Sequence, residues 1–221
     1  MIGQNVHDAG HRFMGFWIDW AAYLFYYDYG ISNRGMDIMA NVFIFTINDT
    51  SSRERFCSTV EHGYELEQIL PHIKEKSQRH KLQQFYTDTT CYLWGEAEKS
   101  GGTRSEWEKM SDGDLVLGYH ENAIIAVSQV LYKRDDPELA DHIWGKHNEN
   151  SLRFIFFMTR PHLCNITIVP RMLNYLDQSY DGFTHLGPDK IENILAHYIS
   201  LDDFARLLFG KDFPTSLRHS E

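Results

Sequence analysis

The chain has 221 residues, of which 43% are hydrophobic and 14% aromatic, so it is long and apolar enough to bury a core of its own. Its formal net charge is −10, which argues against a strong non-specific binder of long nucleic acid, because that binding depends on cations that neutralise phosphates. The acidic balance leaves open a protein that takes one base into a pocket while a local basic patch holds the backbone.

The cysteines indicate the compartment. Cys57, Cys91 and Cys164 are widely spaced, their number is odd, and no Cys-x-x-Cys pair occurs. This pattern is typical of buried thiols in a reducing compartment rather than of a disulfide framework or a zinc site. The first residues also lack the basic start and the apolar run of a secretory signal. We therefore expect a cytoplasmic protein that binds no metal.

Residues 1–40 form an aromatic N-terminal extension. Within it, residues 13–29 are rich in Phe, Trp and Tyr, but Asp19 and Asp28 interrupt the run, which is too short and too charged for a membrane span. The pattern favours an amphipathic helix that packs on the domain or on a second chain. A helix on a membrane surface and a non-native N-terminus are the alternatives, and no membrane partner is expected.

The next segment predicts a core strand followed by helices. Residues 41–47 are rich in β-branched and aromatic side chains, and residues 48–52 supply the short oxygen-bearing side chains of a helix N-cap. Helices are expected at 53–60 and at 64–85, with a break at Pro71. The second of these contains a basic run, which is either a solvated helix face or a set of phosphate contacts. The run consists of Lys74, Lys76, Arg79, His80 and Lys81.

A unit of strand, loop, short helix, turn and strand occupies residues 91–119. The apolar run that finishes with Trp94 predicts a strand that stops at Gly95. Such an ending leaves Trp94 half-exposed beside a loop, where its ring is available to stack on another flat ring. Trp107 lies on the short helix that follows.

The remaining chain alternates between strands and helices. Strands are expected at 123–132 and 152–159, with a helix at 137–144 between them. A single C-terminal helix is expected at 188–204, and residues 206–221 have the composition of a polar tail or linker.

Enzymatic motifs are missing from the sequence. It contains no GxxxxGK[ST] loop, no GxSxG nucleophile elbow and no His-Glu-x-x-His pair. The acidic pairs, such as Asp135 and Asp136, have the spacing of turns and helix caps. We expect no catalytic site and no cofactor in this segment.

The order of the motifs resembles the EVE domain, a member of the PUA-like superfamily that is related to the YTH readers of methylated adenine. The resemblance covers residues 41–200. Within the family, this segment is most similar to the N-terminal reader domain of McrB-type, modification-dependent restriction systems. It rests on a strand that ends in Trp94-Gly95, a loop, Trp107-x-x-Met110, and Gly113-Asp114-x-Val116-x-x-Tyr119.

This resemblance implies an α+β fold, namely a small PUA-like β-barrel of about five or six strands flanked by helices, within a domain at 41–205. It also implies a non-catalytic reader that flips a modified base of DNA into an aromatic pocket. N6-methyladenine is the first choice, and 5-methyl- or 5-hydroxymethylcytosine is the second. The domain would target a restriction system whose GTPase motor and nuclease lie on other segments or chains.

Carried over from the family, the pocket lies between the helix after the first strand and the strand that ends in tryptophan. Trp94 would form one wall, Asn48 and Asp49 would read polar groups, and Tyr119 would line the floor. Trp107 and Trp144 are less certain members, with packing roles as the alternative. YTH readers place a further tryptophan in a loop that here, at 146–150, has no aromatic residue, and Phe183 is a candidate replacement.

Cations in loops near the same end are candidates for contacts to the nucleic-acid backbone, which position a strand without reading its sequence. They are Lys99, Arg104, Lys133, Arg134 and Lys146.

Other functions remain open at this stage. An RNA-binding YTH or PUA-like reader of a modified nucleotide would use the same pocket and would differ by contacts to the 2′-OH. A small enzyme or nucleotide sensor, and a protein–protein module driven by the aromatic extension, are the further alternatives.

Overall fold

Eight strands form one mixed sheet in the computed structural model, which describes residues 41–99, 102–146 and 150–211. The predictions for residues 1–40 and for most of the C-terminal tail lie outside these residues. The strands are β1 (Val42–Thr46), β2 (Tyr64–Glu65), β3 (Thr90–Glu96), β4 (Leu115–His120), β5 (Ala123–Asp135), β6 (Phe154–Met158), β7 (His162–Thr167) and β8 (Thr184–His185).

Seven α-helices accompany the sheet in the described residues. They are α1 (Thr50–Phe56), α2 (Leu66–Ile69), α3 (Lys76–Phe85), α4 (Thr103–Lys109), α5 (Pro137–Trp144), α6 (Pro188–His197) and α7 (Leu201–Phe209). A π-helical turn, Cys57–Glu61, continues α1, and short 3₁₀ turns follow α2 and β7.

The strand order is β2-β3-β6-β5-β4-β1-β8, and β7 pairs with β5. Only β1 and β4 run parallel among the described pairs, and the others are antiparallel. The long strand β5 organises the sheet, because its first half pairs with β4 and β7 and its second half with β6. The predicted α+β class is confirmed. Six strands are longer than two residues, and the sheet is open rather than closed into a barrel.

Two apolar cores lie on the two faces of β1, because neighbouring side chains of a strand point to opposite faces. Phe43 and Phe45 belong to the core that contains Trp94 and the β3–β6 pair. Val42 and Ile44 belong to the other core, which α6 and α7 cover. The five residues of β1 are all buried, so this strand is the shared centre of the molecule.

The C-terminal helix expected at 188–204 is two helices. α6 ends at His197, and the Ser200 side chain then caps α7 by accepting a hydrogen bond from the Asp203 N–H at 3.1 Å. The single apolar face expected for one long helix is therefore divided, and Ile199 between the helices is 70% exposed. In the described part of the chain, no helix has the length and apolarity needed to span a bilayer.

Candidate functional site

Three segments meet at one end of the sheet: the exit of β1, the end of β3 and the loop at 181–183. The Gly182 N–H donates a buried hydrogen bond of 2.9 Å to the Thr46 hydroxyl, and the Asn48 amide donates one of 3.3 Å to an Asp181 carboxylate oxygen. These bonds fasten the loop to the exit of β1. Asn48, a predicted reader, therefore lies at this end of the molecule.

The loop is also joined to the end of β3. Gly182 has a φ of +67°, a conformation that glycine adopts without strain. A Cβ added to it would lie 3.0 Å from the Lys99 ammonium, so Lys99 reaches across from β3 to the loop. The next residue, Phe183, stacks on Phe43 with ring centroids 5.6 Å apart and is buried. Phe183 supports the end of the core here and presents little surface to solvent.

Trp94 is buried, with 1% of its surface exposed, and the expectation of a half-exposed ring is wrong. Its ring centroid lies 4.8 Å from that of Phe45 and 5.6 Å from the guanidinium carbon of Arg55. Its indole N–H donates a 2.9 Å hydrogen bond to Glu96 Oε1. The ring is thus held in place by an aromatic, a cation and a carboxylate.

Glu96 shares a face of β3 with Trp94 because the strand continues through Gly95 instead of stopping there. Its carboxyl group is buried, with 8% of the residue exposed. Burial raises the pKa of Glu96, while the hydrogen bond from Trp94 and the charges of Lys99 and Arg55 act in the opposite direction. A buried acceptor with nearby cations therefore stands beside the tryptophan.

Gly95 allows β3 to continue because the strand is crowded on the side opposite Trp94. A Cβ at this position would lie 2.5 Å from both the Leu152 carbonyl oxygen and the Trp144 ring. Glycine thus permits the close approach of a neighbouring backbone, which is a known use of glycine within strands.

Arg55, on α1, covers the tryptophan. Its Nη1 donates a 2.8 Å hydrogen bond to the Ser51 hydroxyl one turn earlier, whereas its buried Nε has no hydrogen-bond partner among the described residues. Burial lowers the pKa of Arg55, and the charges of Asp49 and Glu96 oppose this shift. The hydrogen bond to Ser51 thus lies within α1, whereas the contact of Arg55 with β3 is made through the face of the Trp94 ring.

Asp49, the second predicted reader, is the N-cap of α1. Its Oδ1 accepts a 2.6 Å hydrogen bond from the Ser52 N–H, and the Ser52 hydroxyl accepts one of 3.0 Å from the Asp49 N–H. In this reciprocal capping box, the carboxylate accepts a hydrogen bond from a backbone N–H in the first turn of α1. Its charge still acts on Arg55.

Three of the predicted aromatic residues lie elsewhere. Tyr119 belongs to the opposite core, where its ring packs against Tyr180 at 5.3 Å. Trp107 packs on Phe154 at 5.3 Å, and the edge of Trp144 covers Gly95 on the far side of β3 from Trp94. These rings have packing roles in the structure and do not join the group around Trp94.

Three of the five predicted backbone-binding cations are engaged within the chain. Arg104 pairs with Glu98 at 3.1 Å. Lys133 donates to the carbonyls that end α4 and lies 4.6 Å from the Trp107 ring. Arg134 forms a largely buried ion pair with Asp136. Lys146 is exposed at the end of α5, and Lys99 is the member of the set that the site contains.

A separate cavity of about 250 Å³ lies on another part of the surface and shares no residue with this site. Charges of both signs line it, and its wall includes the ion pair of Arg134 and Asp136. No group of three potential metal ligands occurs in the residues that the structure describes.

The geometry around Trp94 therefore brings together an aromatic ring, the Glu96 carboxyl group and the Arg55 guanidinium. These are groups of the kind that stack on a flat ring and form hydrogen bonds to its edge. Sequence reasoning placed Trp94, Asn48 and Phe183 at this end but missed Arg55 and Glu96. The signal for Glu96 was its position two residues after Trp94, which is the spacing of a shared strand face.

Comparison with known structures identifies the architecture. No protein-family model and no curated protein matches the chain. The structure of the N-terminal domain of McrB from Thermococcus gammatolerans, bound to m5C DNA, matches with a TM-score of 0.53 at 19% identity and covers 71% of this chain and 95% of that domain. The chain shares the fold of this McrB domain.

Human THYN1, solved in complex with DNA that contains 5-methylcytosine, gives a weaker match. Its TM-score is 0.35 at 12% identity, with 71% of this chain and 96% of THYN1 covered. At 19% identity the McrB comparison shows the fold alone, and the THYN1 match lies below the similarity at which a shared fold can be inferred.

Proposed function

We propose that the EVE-like domain is a non-catalytic reader of a modified base in DNA, and that it binds the base flipped out of the duplex, at the end of the sheet where Trp94 and Glu96 lie. The observation that carries this proposal is the group formed by Trp94, Glu96 and Arg55. It combines an aromatic ring, a buried acceptor beside that ring, and a cation over the face of the ring.

The burial of Trp94 determines how the base enters. Neither the ring nor Glu96 is open to solvent, so a base reaches them only by displacing the Arg55 guanidinium from the indole. The exchange would replace a cation over the ring, 5.6 Å from its centroid, by a stacked base. The displaced cation remains near the entrance, where it is available to a phosphate.

Two bases fit the proposal. The sequence favours N6-methyladenine, whereas the McrB domain with the same fold was solved with m5C DNA, which favours 5-methylcytosine. We place 5-methylcytosine first, with 5-hydroxymethylcytosine and N6-methyladenine as the bases to compare with it. We also propose that the domain directs a restriction motor and nuclease carried elsewhere, a role supported by the likeness to McrB.

The test is the affinity of the protein for short duplexes that differ at one base, measured by fluorescence anisotropy. The central base is cytosine, 5-methylcytosine, 5-hydroxymethylcytosine, adenine or N6-methyladenine, and matching RNA strands complete the set. Trp94→Phe is the site variant, because it keeps an aromatic ring but removes the hydrogen bond to Glu96. Trp107→Phe is its control, because that indole N–H is buried without a described partner.

We expect the protein to prefer one modified duplex and Trp94→Phe to weaken that affinity roughly tenfold, which corresponds to about 1.4 kcal/mol. The smaller ring stacks less well on the base, and Glu96 loses the hydrogen bond that holds it beside the ring. Trp107→Phe should change the affinity by less than about twofold. Preference for RNA would identify an RNA reader instead. Equal affinity for all duplexes, unchanged by Trp94→Phe, would refute the proposal.

A further inference from the structure

A reader of 5-methylcytosine must reject thymine, which is abundant in DNA and carries the same methyl group at C5. Aromatic walls that contact the ring and the methyl group cannot separate the two bases. The exocyclic group at C4 separates them, because cytosine presents an amine that donates hydrogen bonds and thymine presents a carbonyl that accepts them. A pocket that selects the methylated cytosine therefore needs a hydrogen-bond acceptor at that edge.

We propose that Glu96 is this specificity-determining residue, and that its carboxylate accepts a hydrogen bond from the exocyclic amine of the flipped base. The inference rests on the proposed function and extends it to a substrate class. The site takes bases with an exocyclic amine, of the cytosine or adenine type, and rejects thymine and uracil types.

The position of the carboxylate supports this assignment. Oε1 accepts the indole N–H of Trp94 at 2.9 Å, which fixes the carboxyl group beside the edge of the ring on which the base would stack. The residue is more than nine-tenths buried, so a base that stacks on the indole would meet this carboxyl group away from bulk water. An amine of the base would there find an acceptor with little competition from solvent.

Burial raises the pKa of Glu96, and the hydrogen bond from the indole and the charges of Lys99 and Arg55 oppose that rise. In the proposed complex Glu96 acts as a carboxylate. An ionised carboxylate accepts hydrogen bonds and cannot donate them. It therefore attracts an amine at C4 and repels a carbonyl oxygen there.

The test compares duplexes in which guanine faces 5-methylcytosine, cytosine or thymine, with wild-type protein, Glu96→Gln and Glu98→Gln. A glutamine keeps an oxygen for Trp94 and can turn its amide N–H₂ toward a carbonyl. Glu98→Gln is the matched control, because it removes the same charge from an exposed carboxylate two residues further on. A mismatched thymine flips out of the duplex more easily than a paired base, so the cost of flipping favours binding of thymine. A preference for 5-methylcytosine must therefore come from contacts to the base itself.

We expect the wild-type protein to prefer 5-methylcytosine to thymine, and Glu96→Gln to reduce that ratio by roughly tenfold or more, which is the discrimination that one good base contact provides. Glu98→Gln should leave the ratio unchanged. If the wild-type protein prefers N6-methyladenine, the affinities for N6-methyladenine and hypoxanthine are compared instead, because hypoxanthine has a carbonyl in place of the amine. Melting curves of both variants confirm that each is folded.

A second measurement needs no variant. The base 5-methylpyrimidin-2-one keeps the methyl group of 5-methylcytosine but has hydrogen in place of the amine, so the wild-type protein should bind it at least about tenfold more weakly. If the protein prefers 5-methylcytosine to cytosine but neither this analogue nor Glu96→Gln changes the discrimination, the role of Glu96 is refuted and the reader function stands. If no modified base is preferred at all, the reader function itself fails.

Discussion

Replacing Gly95 by alanine tests the geometry that brings Trp94 and Glu96 to one face of β3. The added Cβ would lie 2.5 Å from the Leu152 carbonyl oxygen and 2.5 Å from Trp144 Cζ3. Ordinary contacts of a Cβ begin near 3.4 Å, so the neighbours must move by almost 1 Å. The carbonyl belongs to the backbone and cannot move by a change of rotamer.

The expected cost is that of overpacking a well-packed region, about 1–3 kcal/mol of unfolding free energy. In a chain of this size each kcal/mol lowers the melting temperature by about 2–4 °C. The assay is thermal and denaturant unfolding of wild-type protein, Gly95→Ala and a control, Gly187→Ala. Nothing lies within 4 Å of a Cβ at Gly187, whose φ of −60° suits alanine, so we expect a change within about 0.5 kcal/mol of zero.

A double variant, Gly95→Ala with Trp144→Leu, separates the two contacts. In the Trp144→Leu background, Gly95→Ala should lower the unfolding free energy by less than it does in the wild-type protein. The clash with the ring is then absent, and only the clash with the carbonyl remains. If Gly95→Ala is as stable as Gly187→Ala, β3 does not pass beneath Trp144 as described. The shared face of Trp94 and Glu96 would then lose its explanation.

Two further predictions concern ionisable groups. Because burial raises the pKa of Glu96, the native state holds its proton more tightly than the unfolded chain, and stability from this group falls as pH rises above the ordinary glutamate value. The melting temperature of Glu96→Gln minus that of the wild-type protein should therefore increase from about pH 4 to pH 7, and a constant or decreasing difference would contradict the assigned environment. Burial also raises the pKa of Cys91 to about 12, so iodoacetamide at pH 8 should label the half-exposed Cys57 well before Cys91, as mass spectrometry would show.

The sequence was sufficient for elements whose signal is local. The apolar residues of β1 predict a buried strand, and the strand appears where the pattern places it. The short side chains at 48–52 predict an N-cap, which Asp49 provides, but α1 begins at Thr50, three residues before the expected start. A glycine after an apolar run can mark either the end of a strand or a close approach within it. Gly95 permits the close approach of Leu152 and Trp144, and the sequence does not reveal this because both residues are distant along the chain. Misreading that glycine placed Glu96 in a loop and hid its relation to Trp94.

The cations show a second limit of sequence reasoning. A lysine or arginine in a predicted loop looks available for phosphate, but its partners depend on the tertiary fold. Arg104 and Arg134 pair with carboxylates of this chain, and Lys133 caps α4, so none of the three is free to neutralise a phosphate without giving up an internal contact. Arg55 was overlooked because its importance comes from lying over Trp94, a neighbour 39 positions away.

These engaged cations, together with the net charge of −10, limit what the phosphate backbone can contribute to affinity. In the proposed function, the site instead directs its polar groups at a single base, with a buried carboxylate at the edge of a buried ring. We expect such a site to reject a wrong base strongly, because an acceptor that stays buried and unpaired costs about 1–3 kcal/mol. We also expect it to hold the right base without attracting unmodified DNA, which matters because unmodified sites greatly outnumber modified ones. The net negative charge and a closed, acceptor-bearing site are therefore consistent with the proposed reader of a rare base.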